Sequence, residues 1–312
     1  MHVDQPLDPD IAAVLGALPP FGLDAETLPL ARVRPPAPAD PDRAGLRTDH
    51  VVPGDPPVPV RVHRPPDQDG LRPAVVSMHG GGLVLGSCDM DDALFDDWCP
   101  RVGVVGVSVE YRLAPEHRYP AALDDCYAAL RWTHEHADEL GVDRERIGVR
   151  GISAGGGLAA AVALLARDRG EVAVAFQLLD CPMLDDRQRT PSSRLDGLPV
   201  WSRESNAFGW RSYLGDLAGT DDVPPTAAPA RATDLTGLPP AFVSVGTVDG
   251  FRDEDVDYAT RIWRAGGVAE LHVWPGGYHG FDGIAGDTKL AQRFTTSRID
   301  ALKRAFANAL TT

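Results

Sequence analysis

Residues 146–161 read RIGVRGISAGGGLAAA, and they contain the turn that decides the fold. The run Arg146–Arg150 predicts a buried strand, and the Ala- and Gly-rich run Ala154–Arg169 predicts a helix. The pentapeptide Gly151–Gly155 joins them, with Ser153 at its centre. Glycine two positions before and after the serine suits a tight, strained turn, because a Cβ there would approach the backbone too closely. Such a turn exposes the hydroxyl, so Ser153 is the candidate nucleophile.

Short apolar runs alternate with helical periods on both sides of this turn. The other predicted strands are Val58–His63, Ala74–Met78, Val104–Val109, Val174–Leu179, Ala241–Val245 and Glu270–Trp274. The other predicted helices are Asp91–Arg101, Ala121–Glu139, Glu254–Ala265 and Thr288–Ala309. Several of the strands are nearly all apolar, as strands buried on both faces are. The alternation predicts an α/β protein with a mostly parallel, doubly wound sheet.

A run of glycines follows the predicted strand Ala74–Met78 directly, as His79-Gly80-Gly81-Gly82. Backbone without side chains can bring its N–H groups to a substrate oxygen, and with the N–H of Ala154 these groups would form an oxyanion hole. A phosphate-binding loop is the competing interpretation. Neither G-x-x-x-x-G-K-[ST] nor a G-x-G-x-x-G leading into a helix is present, which disfavours it.

Asp249 and His279 each follow a predicted strand, where open α/β sheets place their sites. The order Ser153, Asp249, His279 is that of the α/β-hydrolase triad. Asp253 competes with Asp249 for the role of the acid. However, Asp253 stands at the start of the next predicted helix, directly before Glu254, where acidic residues are favoured in any case. Asp249 has no such structural reason, and it is therefore the predicted acid.

These motifs together resemble those of the hormone-sensitive-lipase-like esterases of bacteria, over residues 74–283. The shared stretches are His79–Gly82, Glu110–Glu116, Gly151–Gly156, Leu238–Ala241, Asp249 with Arg252–Glu254, and His279–Phe281. The resemblance implies an α/β-hydrolase fold with a helical cap, in which His79 is structural. The residues that it implies for catalysis are the triad Ser153, Asp249 and His279 and the oxyanion donors Gly81, Gly82 and Ala154. It further implies a serine carboxylesterase that hydrolyses short- to medium-chain esters through an acyl-enzyme, with no cofactor and a possible homodimer.

The chain departs from the family pattern at several positions near these motifs. Ile152 stands where the family commonly has Asp, and Gly157 where it commonly has Asn. The usual aromatic residue after the glycines is Leu83, which would leave the acyl side less crowded. Gly250 and Phe251 replace the usual Pro and Leu after the acid. No departure removes a triad member, but each weakens inference about substrate preference.

Two other functions are compatible with these motifs. An amidase or a small-molecule deacetylase would use the same triad. A non-catalytic ligand-binding protein on this fold is the second alternative, but such relatives typically lose the triad histidine, and His279 is present.

The predicted organisation is an N-terminal cap arm over residues 1–45 and an α/β-hydrolase domain over 46–312, with a cap insertion around 185–225. The arm has one apolar segment, Ile11–Leu18, and a proline-rich stretch at 35–41. The insertion is long, polar and rich in Pro and Gly, and Trp201–Leu217 within it is predicted to be partly helical.

Composition excludes other classes of protein. The net charge of −15 argues against nucleic acid as a partner, because Lys and Arg supply most of that affinity. No stretch predicts a membrane span, and the N-terminus does not resemble a signal peptide, so a cytoplasmic location is expected. Four cysteines, Cys88, Cys99, Cys126 and Cys181, match no zinc or redox spacing. Free thiols and no metal site are therefore predicted.

Overall fold

The computed structural model describes residues 6–17, 22–33, 46–67 and 69–308. Its strands are β1 (Arg47–Val52), β2 (Val58–His63), β3 (Arg72–Met78), β4 (Val105–Val109), β5 (Val142–Ile152), β6 (Gln177–Asp180), β7 (Ala241–Val248) and β8 (Ala269–Tyr278). Its α-helices are α1 (Pro9–Leu15), α2 (Leu28–Ala31), α3 (Asp92–Val102), α4 (Ala121–Glu135), α5 (Ala137–Leu140), α6 (Ala154–Arg169), α7 (Arg203–Leu214), α8 (Arg252–Arg264), α9 (Phe281–Ile284) and α10 (Lys289–Asn308). None of these helices is long and apolar enough to cross a membrane.

The strands form one sheet in the order β1-β2-β4-β3-β5-β6-β7-β8. The pairs β1–β2 and β2–β4 are antiparallel. The strands from β4 to β8 are parallel to one another. Parallel strands end at the same edge of a sheet, so the residues that follow β3, β5, β7 and β8 are brought to one side of the molecule. The predicted α/β sheet is confirmed.

Alternate residues of the central strands face two different helical layers. In β3, Val75 belongs to a buried cluster with Phe95 of α3 and Phe306 of α10. The next residue, Val76, belongs to the larger cluster on the other face, which includes Leu130 of α4 and further residues of α6 and α8. Burial on both faces explains why consecutive residues of β3, Ala74–Val76, are all apolar.

Strand β1 was not predicted from the sequence. It reads RTDHVV, and only Val52 in it is buried. The strand lies at the edge of the sheet, where one side is open to solvent, so it lacks the apolar run by which buried strands are detected.

Some predicted boundaries differ from the observed ones. The helix predicted over 121–139 is broken at His136, which has φ −100 and ψ 19, outside the helical range. The strand predicted over 174–179 begins only at Gln177. The strand predicted over 270–274 continues to Tyr278, so His279 directly follows a strand end rather than lying in a glycine-rich loop. Glycines at the end of β8 hid its true length.

The described parts of the N-terminal region pack against the body of the molecule near this edge. Ile11 of α1 is fully buried in a cluster with Tyr278 and Phe281. The backbone N–H of Leu23 donates to Ser205 Oγ of α7 at 3.0 Å. The proline-rich stretch predicted at 35–41 lies outside the described residues. Within residues 185–225, a helix does form, over Arg203–Leu214.

Candidate active site

The turn at Ser153 is strained, and its glycines are required by close packing. Ser153 has φ 57 and ψ −121, a conformation that L-residues rarely adopt. A Cβ on Gly151 would overlap the carbonyl oxygen of Gly155. A Cβ on Gly155 would in turn overlap the carbonyl oxygen of Met78, at the end of β3. The sequence pattern G-x-S-x-G therefore reflects two backbone approaches that leave no room for any side chain.

Three side chains from different strand ends form a hydrogen-bonded chain. His279 Nε2 lies 2.9 Å from Ser153 Oγ, and His279 Nδ1 lies 2.8 Å from Asp249 Oδ2. All three residues are buried, with 6%, 7% and 2% of Ser153, His279 and Asp249 exposed. An imidazole held in this way can accept the hydroxyl proton at Nε2, while the carboxylate holds its other nitrogen. The arrangement is the geometry of a Ser-His-Asp triad.

Phe251, one of the departures from the family pattern, contacts both Asp249 and His279 of the triad. Its backbone N–H donates to Asp249 Oδ1 at 2.9 Å, so each carboxylate oxygen of Asp249 has a partner. Its ring packs edge-on against the His279 ring, with 5.1 Å between centroids. Sequence reasoning did not assign this role, because the residue is separated from His279 along the chain and only β7–β8 pairing brings them together.

The competing carboxylate, Asp253, faces a different part of the molecule. Its Oδ2 accepts from the Ser192 N–H at 2.8 Å, and its Oδ1 accepts from Arg252 Nε at 2.8 Å. Partial burial raises the pKa of Asp253, but the hydrogen bonds from Arg252 and Ser192 outweigh that effect and lower it overall. Asp253 thus connects α8 to the segment before α7, and its contacts leave it no position beside His279.

Two buried acidic residues, Glu254 and Asp255, lie near Asp249. Glu254 Oε1 accepts from the backbone N–H groups of Leu184 and Asp185 at 2.8 and 3.1 Å. The Asp255 carboxyl is completely buried and has no hydrogen-bond partner among the described residues. Burial raises the pKa of Asp255 well above its usual value, and the neighbouring Glu254 and Asp249 raise it further. Burial therefore favours the uncharged form of the Asp255 carboxyl more than that of an exposed aspartate.

The glycine loop after β3 lies beside the nucleophile. A Cβ on Gly80 would be 3.6 Å from the Cβ of Ser153. Gly81 has φ 123 and Gly82 has φ 62, so both need the freedom of glycine. The loop closes on itself, since the N–H of Leu85 donates to the Gly81 carbonyl at 2.9 Å. Ala154 begins α6, so its N–H points from a helix N-terminus beside Ser153.

His79 is held within the scaffold of this loop. Its ring stacks on Tyr111 with 4.1 Å between centroids, and its Nδ1 lies 2.8 Å from the Gly80 carbonyl oxygen. The Tyr111 hydroxyl donates to the His79 carbonyl at 2.8 Å. A Cβ on Gly86 would overlap the imidazole. These contacts agree with the structural role that the sequence predicts for His79.

Cys181 approaches the triad from the end of β6, which its spacing along the chain does not indicate. One ligand atom each from Cys181, Asp249 and His279 lies within 4.8 Å of the others, a distance at which a metal ion could be held. Burial, followed by the Asp249 carboxylate, raises the pKa of the Cys181 thiol well above its usual value. Metals bind the thiolate rather than the thiol. The residues therefore fit a hydrogen-bonded His–Asp pair better than a metal site.

A buried ionic network underlies the nucleophile. Arg150, at the end of β5, pairs with Asp91 at 2.8 Å and with Asp180 at 3.4 Å. Arg298 of α10 pairs with Asp180 at 2.9 Å and with Asp282, just after His279, at 3.2 Å. The network thus connects the strand before Ser153 to α9, the short helix after His279. Arg150 is the one charged residue in the buried run Ile147–Gly151 of β5, and this is the signal by which it could have been found from the sequence.

Comparison with known proteins agrees with this fold and geometry. Residues 75–283 match a protein family described as having the alpha/beta hydrolase fold. The carboxylesterase NlhH of Mycobacterium tuberculosis is 41% identical over 251 residues, which are 80% of this chain and 78% of that protein. The solved structure of a bacterial heroin esterase superposes with a TM-score of 0.88 at 39% identity, covering 96% of this chain and 98% of the other. Esterase LipW from Mycobacterium marinum gives 0.84 at 37% identity, covering 97% and 98%.

The matched family spans more than half of the chain, and the curated relative is well above 30% identical. The protein is thus an α/β-hydrolase. Within that fold, the chain belongs to the hormone-sensitive-lipase-like carboxylesterases, and the resemblance seen in the sequence is confirmed.

Proposed function

We propose that this protein hydrolyses short- to medium-chain carboxylic esters through an acyl-enzyme on Ser153. The observation that carries the proposal is the position of the His279 ring, 2.9 Å from Ser153 Oγ and 2.8 Å from Asp249 Oδ2. In this proposal Ser153 is the nucleophile, His279 the general base and Asp249 the orienting acid.

The proposed reaction moves one proton back and forth through His279. Nε2 takes the Ser153 proton as Oγ bonds to the ester carbonyl carbon, and the carbonyl oxygen becomes an oxyanion. The N–H groups of Gly81, Gly82 and Ala154 stabilise that oxygen. Collapse breaks the carbon–oxygen bond of the alcohol, which leaves with the proton from Nε2. Water then repeats the sequence on the acyl-enzyme, releases the acid and returns the proton to Ser153.

We propose that the cap consists of residues 1–45 and 185–225, on the body 46–312. The contact of Leu23 with Ser205 supports this, as does Arg32 Nε, which donates to the Val84 carbonyl of the glycine loop at 2.9 Å. The near-complete burial of Ser153 implies a narrow approach to its hydroxyl. A narrow approach favours acyl chains of limited size.

The experiment combines an active-site label with a substrate panel. A fluorophosphonate should react with purified protein at Ser153, located by peptide mass spectrometry, and Ser153→Ala should not be labelled. Matched p-nitrophenyl esters and p-nitroanilides of the same acids then separate esterase from amidase activity. Labelling with faster anilide hydrolysis would replace ester by amide as the substrate class, and absence of labelling would refute the nucleophile.

We also propose a homodimer and a cytoplasmic location, which remain predictions. The outer edge of β8 has no neighbouring strand in the described part of the sheet. Exposed apolar side chains lie at or near that edge, namely Trp263, Val268 and Val273. An open apolar edge of this kind favours self-association. Light scattering after gel filtration would measure the mass, and a monomer at micromolar concentration would contradict the dimer.

A further inference from the structure

Trp201, from the segment before α7, covers the glycine loop. A Cβ on Gly82 would overlap the six-membered part of the indole, so the ring lies directly against the backbone of that glycine. The same ring lies 6.5 Å from the His279 ring, centroid to centroid. Only 8% of Trp201 is exposed. The indole is therefore in contact with one proposed oxyanion residue and near the proposed base.

The backbone turn directly before Trp201 is strained. The Trp201 N–H donates to the Pro199 carbonyl at 2.7 Å, which forms a three-residue turn with Val200 at its centre. Val200 has φ 67, a conformation unfavourable for a β-branched residue. Val200 packs against the cluster that contains Tyr278 and Phe281, on either side of His279. Strained backbone of this kind persists only where the surrounding structure fixes it, and it is concentrated at functional sites.

The glycine loop has no aromatic residue of its own. The residue after its glycines is Leu83, and the sequence suggests an uncrowded acyl side there. The structure instead brings the aromatic ring of Trp201, from the segment 185–225, to Gly82. Ring and loop are more than a hundred positions apart in sequence, so their contact exists only in the folded chain.

We propose that Trp201 is a specificity-determining residue that limits the size and branching of the acyl group. The inference rests on the proposed function, in which the N–H of Gly82 binds the ester carbonyl oxygen. That oxygen stays with the acyl group after the alcohol leaves, so a wall against Gly82 lies near the acyl group in both steps of the reaction. A bulky substituent next to the carbonyl carbon would meet the indole, whereas an acetyl group would not.

The test compares acyl groups with a constant leaving group. Trp201→Phe, Trp201→Leu and Trp201→Ala are assayed with p-nitrophenyl acetate, butyrate, octanoate, isobutyrate and pivalate. The ratio of kcat/KM for pivalate to that for acetate should rise in the order Trp, Phe, Leu, Ala. It should reach about tenfold or more in Trp201→Ala, the scale by which hydrophobic pockets distinguish substrates of different size. Trp263→Ala, at an exposed tryptophan of α8, is the control and should leave the ratio unchanged.

Val200→Gly provides a second test that leaves the indole intact. Glycine accepts the turn without strain and frees it to move, so the ratio should shift in the same direction but less. A uniform loss on all five esters in the Trp201 series would mean that the residue is only structural, and the proposal would be wrong. If wild-type protein is labelled at Ser153 but the Trp201 variants leave the pivalate-to-acetate ratio unchanged, only this inference is overturned. Wild-type protein that is not labelled overturns the proposed function itself.

Discussion

Among the non-glycine residues with positive φ beside the site, Ser153 and Val200 lie in turns of different origin, and only the turn at Ser153 has a sequence signature. Ser153 has φ 57 and Val200 has φ 67. At Ser153 the strain comes with two glycines, because the backbone of the turn nearly touches itself and β3. At Val200 the turn packs against a buried cluster that is distant in sequence and contains Tyr278 and Phe281.

The difference shows which kind of strain can be detected in a sequence. A close backbone approach within a few residues excludes every side chain, so it imposes glycine at fixed spacing and produces a motif. Strain held by packing imposes no residue type on its neighbours, and it therefore leaves no pattern.

Removing the hydroxyl at the first turn should have the largest effect. Ser153→Ala keeps the turn, since the glycines rather than Oγ allow its geometry. The expected loss of kcat on p-nitrophenyl acetate is about 10⁴- to 10⁶-fold, because triad members act as a unit. Circular dichroism and thermal melting should match the wild type. A folded variant with more than a few per cent of activity would place the nucleophile elsewhere.

The second largest effect should distinguish the two carboxylates that follow β7, Asp249 and Asp253. Asp249→Asn is expected to lower kcat by about 10⁴-fold, the scale seen when the orienting acid of a triad is replaced. Asp253→Asn is the matched control, with turnover within about tenfold of wild type. It should instead lower the melting temperature by several degrees, because a carboxylate that accepts from Ser192 and Arg252 is lost. The reverse pattern would make Asp253 the acid.

Alanine substitutions at Gly82 and Gly170 distinguish backbone strain from a packing clash. The two glycines have similar φ values but different surroundings. Their φ values are 62 and 64, so alanine carries a similar backbone penalty of about 1–2 kcal/mol at each. A Cβ on Gly82 overlaps Trp201, whereas one on Gly170 meets nothing within 4 Å. Gly82→Ala should therefore lower kcat by about 10²- to 10³-fold, as when an oxyanion donor is displaced. Gly170→Ala should cost stability alone.

A double variant sharpens this prediction. If the clash with the indole causes the loss, Gly82→Ala combined with Trp201→Ala should recover part of the activity lost by Gly82→Ala alone. Equal activity of the single Gly82 variant and the double variant in acetate hydrolysis would instead assign the loss to the backbone of the loop.

The smallest expected effect is on stability and depends on pH. Burial raises the pKa of Asp255 above its value in the unfolded chain, so at a pH between the two pKa values the unfolded chain releases a proton that the folded protein keeps. Ionisation therefore favours unfolding increasingly as pH rises above about 4. Asp255→Asn cannot ionise, so it should melt at least about 2 °C higher at pH 8, with a smaller gain at pH 5. A gain that shrinks towards pH 8 would contradict a protonated Asp255.

The arrangement of the site could be predicted in part because α/β sheets place their chemistry at strand ends. Ser153, Asp249 and His279 each follow a predicted strand, and their order along the chain already distinguished the fold. The acid was the open choice, since two carboxylates follow β7 within a few residues. The sequence did not indicate that the Ser192 N–H and Arg252 donate hydrogen bonds to Asp253.

The sequence by itself determined the alternation of strands and helices, the glycine-constrained turn at Ser153 and the order of the triad residues. These features depend on short-range effects, namely the periodicity of apolar residues and the backbone approaches that only glycine permits. The tertiary structure decided what is set by contacts between distant segments. It packs Phe251 on His279, brings Cys181 to the triad and places Trp201 against Gly82. Such contacts depend on shape and burial in the folded chain, and many residue types can make them, so they leave no pattern along the sequence.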